Sequence, residues 1–321
     1  MKICILGAGA LGCALGAALT QGGSDVWLLN RSQAHVDAMN HHGLALVTPD
    51  GERRVAVRAA TRAAEVGPVD LVIVLVKSFD TRAAMSAATA LLGPQTVLLS
   101  LQNGLGHEDI LGEIAGRERV VAGKTYVGGV LLGPGRILSG SQGKATLIGE
   151  LDGQVTPRIQ AIAAEFERAG LDITVSANIL GAMWDKLLVN VATGALSGLT
   201  RLTYGELYRV PEIEASAVAA VAEAMAVARA CGVTLSTQAP RDAWVQAAAG
   251  LPADFKTSLL QSLEKGARGD SPLTEIDFIN GAVVRWGQRC GVPTPVNQTL
   301  VAGIKGVEHA LALQLPEPEC A

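Results

Sequence analysis

Near the start of the chain, the segment Gly7-Ala8-Gly9-Ala10-Leu11-Gly12 follows the pattern GxGxxG. A short apolar stretch precedes it, a helix-like stretch of small residues follows, and a second strand-like stretch ends about 20 residues on. In this context Gly7 permits a tight turn, Gly9 lets backbone amides approach a pyrophosphate, and Gly12 lets the helix pack on the strand. A helix N-terminus also favours negative charge. The segment therefore predicts a dinucleotide-binding loop; a strand–helix turn without a ligand is the alternative.

The end of the second strand decides which dinucleotide is expected. An acidic residue there bonds the ribose 2′-hydroxyl of NAD, but this chain has Asn30-Arg31-Ser32. A guanidinium can hold a 2′-phosphate through two hydrogen bonds, whereas a carboxylate would repel it. The residues therefore favour NADP(H) bound by Arg31, and the alternative is that Arg31 is a solvated loop residue.

Two further polar residues follow apolar, strand-like stretches. Lys77 comes directly after LVIVLV, and Asn103 comes after TVLLSLQ. Ligands of open α/β sheets bind at the carboxyl ends of the strands. We therefore expect Lys77 to neutralise cofactor phosphates and Asn103 to position a nicotinamide or a substrate oxygen. The alternatives are a solvated lysine and an ordinary Asn-Gly turn.

The second half of the chain contains the segment WDKLLVN at residues 184–190. Lys186 and Asn190 are four positions apart, so on a helix they share one face. A lysine among so many apolar neighbours is costly unless it is paired or used. It could donate a proton to the oxygen of a carbonyl that is being reduced, with Asn190 as a second donor; a purely structural lysine is the alternative.

The elements that must position these residues fall into two groups. Apolar stretches at 2–6, 25–29, 69–76 and 96–101 alternate with helix-like segments and indicate parallel strands buried on both faces. Gly/Pro turns from residue 120 onward predict antiparallel strands added to that sheet, and a helix is expected to start at Thr156-Pro157. Beyond about residue 176 the pattern is helical. The sequence thus predicts an α/β fold, with an N-terminal Rossmann-type doubly wound sheet (residues 1–176) and an all-helical C-terminal domain (residues 177–321).

Two of the predicted helices have recognisable ends. One covers residues 213–230 and stops before Gly232, and another covers residues 276–289 and stops before Gly291. Thr274, with Asp277 three residues later, is expected to cap the second of these helices. Residues 315–321, which include two prolines and two glutamates, are expected to be frayed.

Composition excludes several classes of function. The 321 residues carry a net charge of −4 and only 3 % aromatic side chains, which argues against nucleic-acid binding. The five cysteines form no CxxC pattern and no histidine lies at metal-ligand spacing, so we expect reduced thiols and no metal site. The glycine segment leaves no room for a signal peptide, and no apolar run reaches the roughly 20 residues of a membrane span. A cytoplasmic protein without membrane partners is expected.

Taken together, these motifs resemble the ketopantoate reductase (2-dehydropantoate 2-reductase) family over nearly the whole chain. The matching pieces are GAGALG at 7–12, Arg31, VKSFD at 76–80, LQNGLG at 101–106, WDKLLVN at 184–190 and TEIDFINGAVV at 274–284. The resemblance implies a Rossmann domain and a helical domain with the active site in the cleft between them. It also implies NADPH as hydride donor and a branched 2-oxo acid, 2-dehydropantoate, as substrate.

The resemblance further implies a role for each residue. Lys186 would be the general acid, with Asn190 and Asn103 binding substrate oxygens or the nicotinamide. Glu275 would bind a substrate hydroxyl and orient Lys186, and Ser258 would bond the substrate carboxylate. Arg31 and Lys77 would hold the adenosine phosphate side. Without the resemblance, Glu275 is explained equally well as a carboxylate in the first turn of a helix.

Two departures from the family pattern bear on the substrate. The family often has a second asparagine one turn after Asn190, where this chain has Gly194. The spacing between Ser258 and Glu275 is also lengthened by residues 267–273, whose Arg-Gly-Asp tripeptide is interpreted as a surface-loop coincidence.

Several alternatives stay open at this stage. One is another NADP-dependent dehydrogenase of the same design, such as a β-hydroxyacid dehydrogenase, although those enzymes lack TEIDFING. Another is a non-catalytic NADP(H) sensor, against which the joint presence of Lys186, Asn190 and Glu275 argues. The Ala-rich helices fit packing within the domain or across a homodimer equally well.

Overall fold

The computed structural model describes residues 1–140, 144–269 and 271–314. It contains two compact units, one formed by Met1–Gln102 and Gly106–Ile179 and the other by Asn103–Leu105 and Leu180–Ala321. The predicted fraying of residues 315–321 and the Asp270 of the Arg-Gly-Asp tripeptide lie outside the described residues. The three residues Asn103–Leu105 therefore group with the helical unit, although they follow a strand of the first unit.

The first unit alternates strands and helices along most of its length. Its strands are β1 (Lys2–Leu6), β2 (Asp25–Leu29), β3 (Leu44–Thr48), β4 (Gly51–Val55), β5 (Arg58–Ala60), β6 (Val69–Val74), β7 (Leu92–Ser100), β8 (Val120–Thr125), β9 (Gly128–Gly133), β10 (Arg136–Gly140), β11 (Thr146–Gly149) and β12 (Ile173–Val175). Its helices are α1 (Ala10–Gln21), α2 (Gln33–His42), α3 (Ala63–Val66), α4 (Thr81–Ala87), α5 (His107–Ala115) and α6 (Pro157–Arg168).

An eight-stranded sheet forms the centre of this unit, in the order β12-β11-β8-β7-β6-β1-β2-β5. All its neighbouring strands are parallel except β11 and β8. Alternate residues of one strand enter opposite cores, since Ile5 packs in one apolar cluster and Leu6 in the other. The prediction of a doubly wound sheet buried on both faces is confirmed.

The prediction of extra antiparallel strands was only partly right. β11 joins the main sheet next to β8, but β9 and β10 form a separate sheet in the order β4-β3-β10-β9. β10 pairs in parallel with β3, which lies about ninety positions earlier in the chain. Most of β9 is exposed to solvent, whereas β8 is buried along its whole length, so only β8 suits the interior of the main sheet.

The second unit consists of helices. They are α7 (Ile179–Thr200), α8 (Tyr204–Leu207), α9 (Pro211–Ala230), α10 (Pro240–Ala248), α11 (Ser258–Gly266), α12 (Asn280–Cys290) and α13 (Pro295–Ala312). Helix α7 is long and apolar enough to cross a membrane by length and composition, but 67 % of its most apolar window is buried inside the protein. It is a core helix, and it carries Lys186 and Asn190.

The helix predicted at 276–289 is interrupted. A 3₁₀ turn covers Ile276–Phe278, and α12 begins at Asn280 because Ile279 has the non-helical angles φ −106° and ψ −97°. The predicted cap by Thr274 and Asp277 is wrong, since the Thr274 hydroxyl donates to Glu308 and Asp277 pairs with Lys305. Both partners come from α13, which no local pattern could reveal.

Two cysteines of the helical unit are bonded to each other, which corrects the prediction of reduced thiols. Cys231 follows the end of α9 and Cys290 is the last residue of α12; the two are 59 positions apart with a Cα–Cα distance of 6.0 Å. The packing of α9 against α12 creates this pair, and spacing along the chain gave no sign of it. Cys4 and Cys13 are free and buried, and burial raises the pKa of each thiol to about 12.

Breaking this disulfide should destabilise the helical unit. A bond that closes a loop of this length restricts the unfolded chain, so reduction or Cys290→Ser should lower the free energy of unfolding by about 2–4 kcal/mol. Urea unfolding followed by tryptophan fluorescence, with and without dithiothreitol, measures the loss. The Cys231→Ser/Cys290→Ser protein is the control, because dithiothreitol should not affect it further. An unchanged midpoint after reduction of the wild type contradicts the expectation.

Candidate active site

The glycine-rich segment connects β1 to α1 as predicted. Gly7 has φ +106°, and a Cβ added there would lie 2.4 Å from the backbone nitrogen of Val76, so only glycine fits. A Cβ on Gly12 would lie 2.4 Å from the Gly7 carbonyl oxygen. A Cβ on Gly9, by contrast, meets no atom within 4 Å. Gly9 therefore borders open space, as expected if a ligand approaches the backbone there.

The N-terminus of α1 has the properties of an anion site. Gly9 is its N-cap and supplies no side-chain cap, the first turn contains no acidic residue, and no hydrogen bond to a side chain is found for the first-turn amides among residues 1–140, 144–269 and 271–314. These amides and the helix dipole are thus available to a phosphate group. The loop fits the pyrophosphate of a dinucleotide.

The carbonyl oxygen of Ala8, in the middle of the loop, is contacted by three side chains that sequence reasoning did not assign; one is Cys13, whose Sγ donates to it at 3.4 Å. Asn30 Nδ2 donates to it at 2.7 Å, and His35 Nε2 lies 3.1 Å away. Asn30 Oδ1 also accepts from the backbone nitrogen of Ser32. The residue at the end of β2, where an NAD enzyme places an acid, is here committed to fixing the loop. An asparagine at that position was the available signal.

His35 links the glycine loop to the turn between β9 and β10. The backbone N–H of Gly135 donates to Nδ1 at 2.9 Å, so the proton is on Nε2, which donates to Ala8. Burial lowers the pKa of His35, and the hydrogen bond to Ala8 opposes this only in part. The neighbouring Cys13 thiol, 3.5 Å from Nε2, is neutral. The fold therefore holds His35 in its neutral form.

Acidification should weaken this arrangement. Below the ordinary histidine pKa of about 6.5, the unfolded chain takes up a proton that folded His35 resists, so stability falls as pH decreases. Melting temperature and affinity for the nicotinamide cofactor should both decline over this range in the wild type, and the decline should be smaller in His35→Gln. His41→Gln, an exposed histidine of the same helix, is the matched control. Equal pH profiles for wild type and His35→Gln would contradict this assignment.

Arg31 and the segment after Lys77 meet in the first unit. The Arg31 side chain is 90 % exposed, and its Nη1 lies 3.7 Å from Oδ2 of Asp80. Lys77 is exposed and is the N-cap of the 3₁₀ turn Ser78–Asp80. Gln102 braces this segment, donating to the Val76 carbonyl at 2.8 Å and the Thr81 hydroxyl at 2.7 Å. The two predicted phosphate-binding cations thus belong to neighbouring loops at the carboxyl ends of β2 and β6.

In the helical unit, Lys186 and Asn103 are in direct contact. Lys186 Nζ donates to Asn103 Oδ1 at 2.8 Å, and both residues are half-buried. Asn190 is half-buried one turn further along α7, and the intervening Leu187 and Leu188 are buried. Lys186 and Asn103, from two distant predicted motifs, are therefore brought together, and Asn190 lies one helical turn from Lys186.

The TEIDFING motif supports the Asn103 segment. The backbone nitrogen of Leu105 donates to the Phe278 carbonyl at 2.9 Å. Gly104 has φ +94°, and a Cβ there would lie 2.3 Å from the same carbonyl oxygen, so the close approach needs glycine. Glu275, three residues before Phe278, is 9 % exposed. The conformation of the Asn-Gly pair thus brings the Asn103 segment against this motif.

Asp185, next to Lys186, ties the first half of α7 to the segment between α9 and α10. Its two carboxylate oxygens accept four hydrogen bonds from the backbone and hydroxyl groups of Ser236 and Thr237, at 2.6–3.0 Å. Partial burial acts to raise the pKa of Asp185, but these hydrogen bonds outweigh it and lower the pKa below its ordinary value. Asp185 is a structural anchor, which the adjacent Trp-Asp-Lys sequence alone did not reveal.

Ser258 and Gly194 are found near a common neighbour. Ser258 is exposed and is the first residue of α11, which Thr257 caps by accepting from the backbone nitrogen of Leu260. A Cβ added to Gly194 would meet only side-chain atoms of Leu259, at 3.9 and 4.0 Å. Gly194 is itself buried, and an added Cβ would be in ordinary van der Waals contact with Leu259. Among the hydrogen bonds described for the chain, none joins Ser258 to Lys186, Asn190 or Glu275.

Comparison with known proteins identifies the family. Residues 3–153 match the model of the family "Ketopantoate reductase PanE/ApbA", and residues 178–308 match "Ketopantoate reductase PanE/ApbA C terminal". The chain belongs to the ketopantoate reductase PanE/ApbA family. This confirms the predicted family resemblance, the fold class and the assignment as an oxidoreductase.

Individual relatives cover nearly the whole chain. A 2-dehydropantoate 2-reductase of Halobacterium salinarum is 35 % identical over 94 % of this chain and 96 % of its own length. The crystal structure of a PanE/ApbA family ketopantoate reductase from Ralstonia eutropha JMP134 is 35 % identical, with TM-score 0.86, covering 97 % of this chain and 100 % of that one. A ternary structure of D-mandelate dehydrogenase with NADH and anilino(oxo)acetate is 28 % identical with TM-score 0.87, with the same coverage. The family and this neighbour support a nicotinamide cofactor.

Proposed function

We propose that this ketopantoate reductase family member reduces 2-dehydropantoate to pantoate with NADPH. The observation that carries the proposal is the contact of Lys186 Nζ with Asn103 Oδ1 at 2.8 Å, which pairs the expected proton donor with an amide able to orient it. Its relative in Halobacterium salinarum bears the name of this reaction. A sensor that only binds the cofactor would need neither group.

The proposed mechanism assigns proton transfer to Lys186. When bound, the reduced nicotinamide supplies the hydride to the 2-oxo carbon. Lys186 Nζ protonates the carbonyl oxygen as negative charge develops on it, and Asn103 Oδ1 holds the ammonium in position. Asn190 donates a second hydrogen bond to the substrate oxygens. Glu275 binds a substrate hydroxyl and Ser258 the carboxylate, roles proposed from the family resemblance.

The cofactor preference is proposed from the first unit. The glycine loop and the uncapped N-terminus of α1 fit the pyrophosphate, and Arg31 and Lys77 are proposed to bind the 2′-phosphate side. Arg31 is exposed and its side chain can reorient from Asp80 toward a phosphate. The residue at the end of β2 is the uncharged Asn30, which is hydrogen-bonded to the Ala8 carbonyl and the Ser32 amide, so a 2′-phosphate meets no carboxylate at that position.

Removing the guanidinium should therefore weaken NADPH binding selectively. One charge-assisted hydrogen bond contributes about 1.5–3 kcal/mol, so Arg31→Ala should raise the Kd for NADPH by roughly 10- to 150-fold and leave that for NADH nearly unchanged. Fluorescence titration with both cofactors measures this, and Arg62→Ala, a surface arginine of the same unit, is the control. Equal losses for both cofactors would argue against a 2′-phosphate contact.

A second substrate class is favoured by Gly194. An added Cβ at Gly194 would make only ordinary van der Waals contacts with Leu259, so we propose that this position tolerates a larger side chain on the 2-oxo acid than a second asparagine would allow. The D-mandelate dehydrogenase neighbour was solved with anilino(oxo)acetate, an acid of that bulkier type. Reduction of an aryl 2-oxo acid is accordingly the second candidate function.

A panel of 2-oxo acids tests these proposals. NADPH consumption is followed with 2-dehydropantoate, an unbranched 2-oxo acid and phenylglyoxylate, in wild type and Gly194→Asn. The main proposal requires the highest kcat/KM with 2-dehydropantoate, whereas a preference for phenylglyoxylate that Gly194→Asn abolishes supports the second candidate. A preference for the unbranched acid would reject both. Tight NADPH binding without turnover would indicate a sensor.

Three further assignments stay predictions. These are the domain boundary near residue 176, the cytoplasmic location and the homodimer. We propose that the boundary separates cofactor-binding residues from substrate-binding ones, with Asn103 as the exception because its segment groups with the helical unit.

A further inference from the structure

The short segment that carries Glu275 is hydrogen-bonded to Glu308, a carboxylate of α13. Glu308 is 5 % exposed, and its Oε1 accepts from both the backbone nitrogen (2.8 Å) and the hydroxyl (2.6 Å) of Thr274. Its Oε2 accepts from Lys305 Nζ at 3.0 Å. These three hydrogen bonds connect the buried carboxylate to Thr274, the residue before Glu275, and to Lys305.

Lys305, also of α13, binds the segment on the other side of Glu275. Its Nζ lies 2.5 Å from Oδ2 of Asp277, two residues after Glu275. Burial acts to lower the pKa of Lys305, but the hydrogen bonds with Asp277 and Glu308 outweigh it and raise the pKa. Glu275 is therefore flanked by two residues that are fixed to one turn of α13. We call Thr274, Asp277, Lys305 and Glu308 the α13 clamp.

The segment needs such a clamp because its own backbone provides little rigidity. It consists of a single 3₁₀ turn, Ile276–Phe278, which ends at the non-helical Ile279. Short 3₁₀ turns have poorer hydrogen-bond geometry than an α-helix and rarely hold their place alone. The Thr274 hydroxyl also accepts from the backbone nitrogen of Ile276 at 3.2 Å, so the clamp extends into the turn.

Movement of this segment would displace two of the proposed site residues. Glu275 lies within it, and its last residue, Phe278, accepts the hydrogen bond from Leu105 that seats the Asn103 segment. Asn103 in turn accepts the hydrogen bond from Lys186. Glu308 is thus connected, through this one short turn, to both Glu275 and the Asn103 segment. Misplacements of about 1 Å in such groups can cost on the order of 10²-fold in rate.

We propose that Glu308 is a positioning residue for the reaction, holding Glu275 and the Asn103 segment in their active arrangement through Thr274 and Lys305. This rests on the proposed reduction of a 2-oxo acid, because the positioned groups are those assigned to its substrate. Glu308 itself touches neither substrate nor cofactor. Its effect should therefore appear in substrate binding and turnover and leave the cofactor-binding unit unchanged.

Three variants and one control test this role. Glu308→Gln keeps the size of the side chain but removes its charge, Thr274→Val removes only the hydroxyl, and Thr274→Ser retains it. Glu264→Gln is the matched control, because Glu264 also pairs with a lysine of the helical unit, Lys256 at 2.6 Å, without contacting the clamp. Steady-state kinetics with 2-dehydropantoate and fluorescence titration with NADPH are measured for each.

Glu308→Gln and Thr274→Val should lower kcat/KM by roughly tenfold to a hundredfold, mainly through KM, with the Kd for NADPH changed less than about twofold. Thr274→Ser should restore kcat/KM to near the wild-type value, and Glu264→Gln should match the wild type. Thr274→Val remains informative if Glu308→Gln fails to fold. A lowered melting temperature with unchanged KM in both variants would show a merely structural role and overturn the proposal.

Hydrogen exchange separates failure of this inference from failure of the proposed function. In the free enzyme, amides of residues 274–279 should exchange faster in Glu308→Gln than in wild type or Glu264→Gln, whether or not a substrate is known. If the wild type reduces no acid of the panel but this exchange difference is observed, the proposed function is rejected and the positioning role of Glu308 in the segment is supported. Unchanged exchange in Glu308→Gln would reject the clamp whatever the substrate.

Discussion

Lys186→Met should lower kcat by about 10²- to 10⁴-fold while the protein still binds NADPH. Methionine keeps the length and apolar character of the side chain but removes the proton that general acid catalysis requires. The substitution also leaves the Asn103 Oδ1 acceptor without its partner in α7. Stopped-flow and steady-state measurements of NADPH oxidation, together with a fluorescence titration of NADPH, distinguish loss of chemistry from loss of cofactor.

Lys186→Arg separates proton transfer from charge. An arginine stays protonated at all working pH values, so it can stabilise the developing oxyanion but cannot give up a proton readily. We expect it to remain at least tenfold slower than wild type at saturating substrate. Lys256→Met, which removes a lysine paired with Glu264 on the same unit, is the control for loss of a positive charge. Turnover of Lys186→Met within threefold of wild type would remove Lys186 from the mechanism.

The second large effect concerns two glycines of the GxGxxG segment, Gly9 at the N-cap of α1 and Gly12 within the helix, whose substitution should do harm for opposite reasons. Gly9→Ala adds a Cβ that meets no protein atom, and its φ of −79° suits alanine, so the fold should keep its stability. The Cβ would instead occupy the approach to the amides at the N-terminus of α1. Loss of about two charge-assisted hydrogen bonds corresponds to roughly 10²- to 10⁴-fold weaker binding of NADPH.

Gly12→Ala should show the reverse pattern. Its Cβ would lie 2.4 Å from the Gly7 carbonyl oxygen and 2.9 Å from Ile5 Cγ2, so the strand and helix must separate. We expect the free energy of unfolding to fall by about 1–3 kcal/mol. Thermal melts and NADPH titrations of both variants measure the contrast. Destabilisation by Gly9→Ala equal to that by Gly12→Ala would contradict a ligand-facing role for Gly9.

The parts of this protein that were predictable from sequence are those set by local patterns. The glycine loop, the parallel strands and helix α9 follow from spacing, apolar runs and turn residues within one window of the chain. The Lys186–Asn190 face follows from helical periodicity. The roles proposed for Ser258 and Glu275 came from family resemblance, because an isolated serine or first-turn glutamate has no distinguishing pattern.

What could not be predicted depends on residues that are distant in sequence. Asn103 and Lys186 are 83 positions apart, and the partners of Thr274 and Asp277 come from α13. The pairing of β10 with β3 and the bond between Cys231 and Cys290 likewise need the folded packing. In each case neither side chain nor strand has a distinguishing local pattern, and its role depends on a contact that forms only in the folded protein.

The hydrogen bond from Asn30 to the Ala8 carbonyl has a practical consequence for cofactor engineering. The usual route from NADPH to NADH places an aspartate at the end of the second strand. Here Asn30→Asp would exchange the amide donor for an acceptor facing a carbonyl oxygen, and the glycine loop would lose its shortest side-chain support. For the proposed NADPH-dependent enzyme, a redesign toward NADH should therefore leave Asn30 in place and begin at Arg31, whose side chain is 90 % exposed.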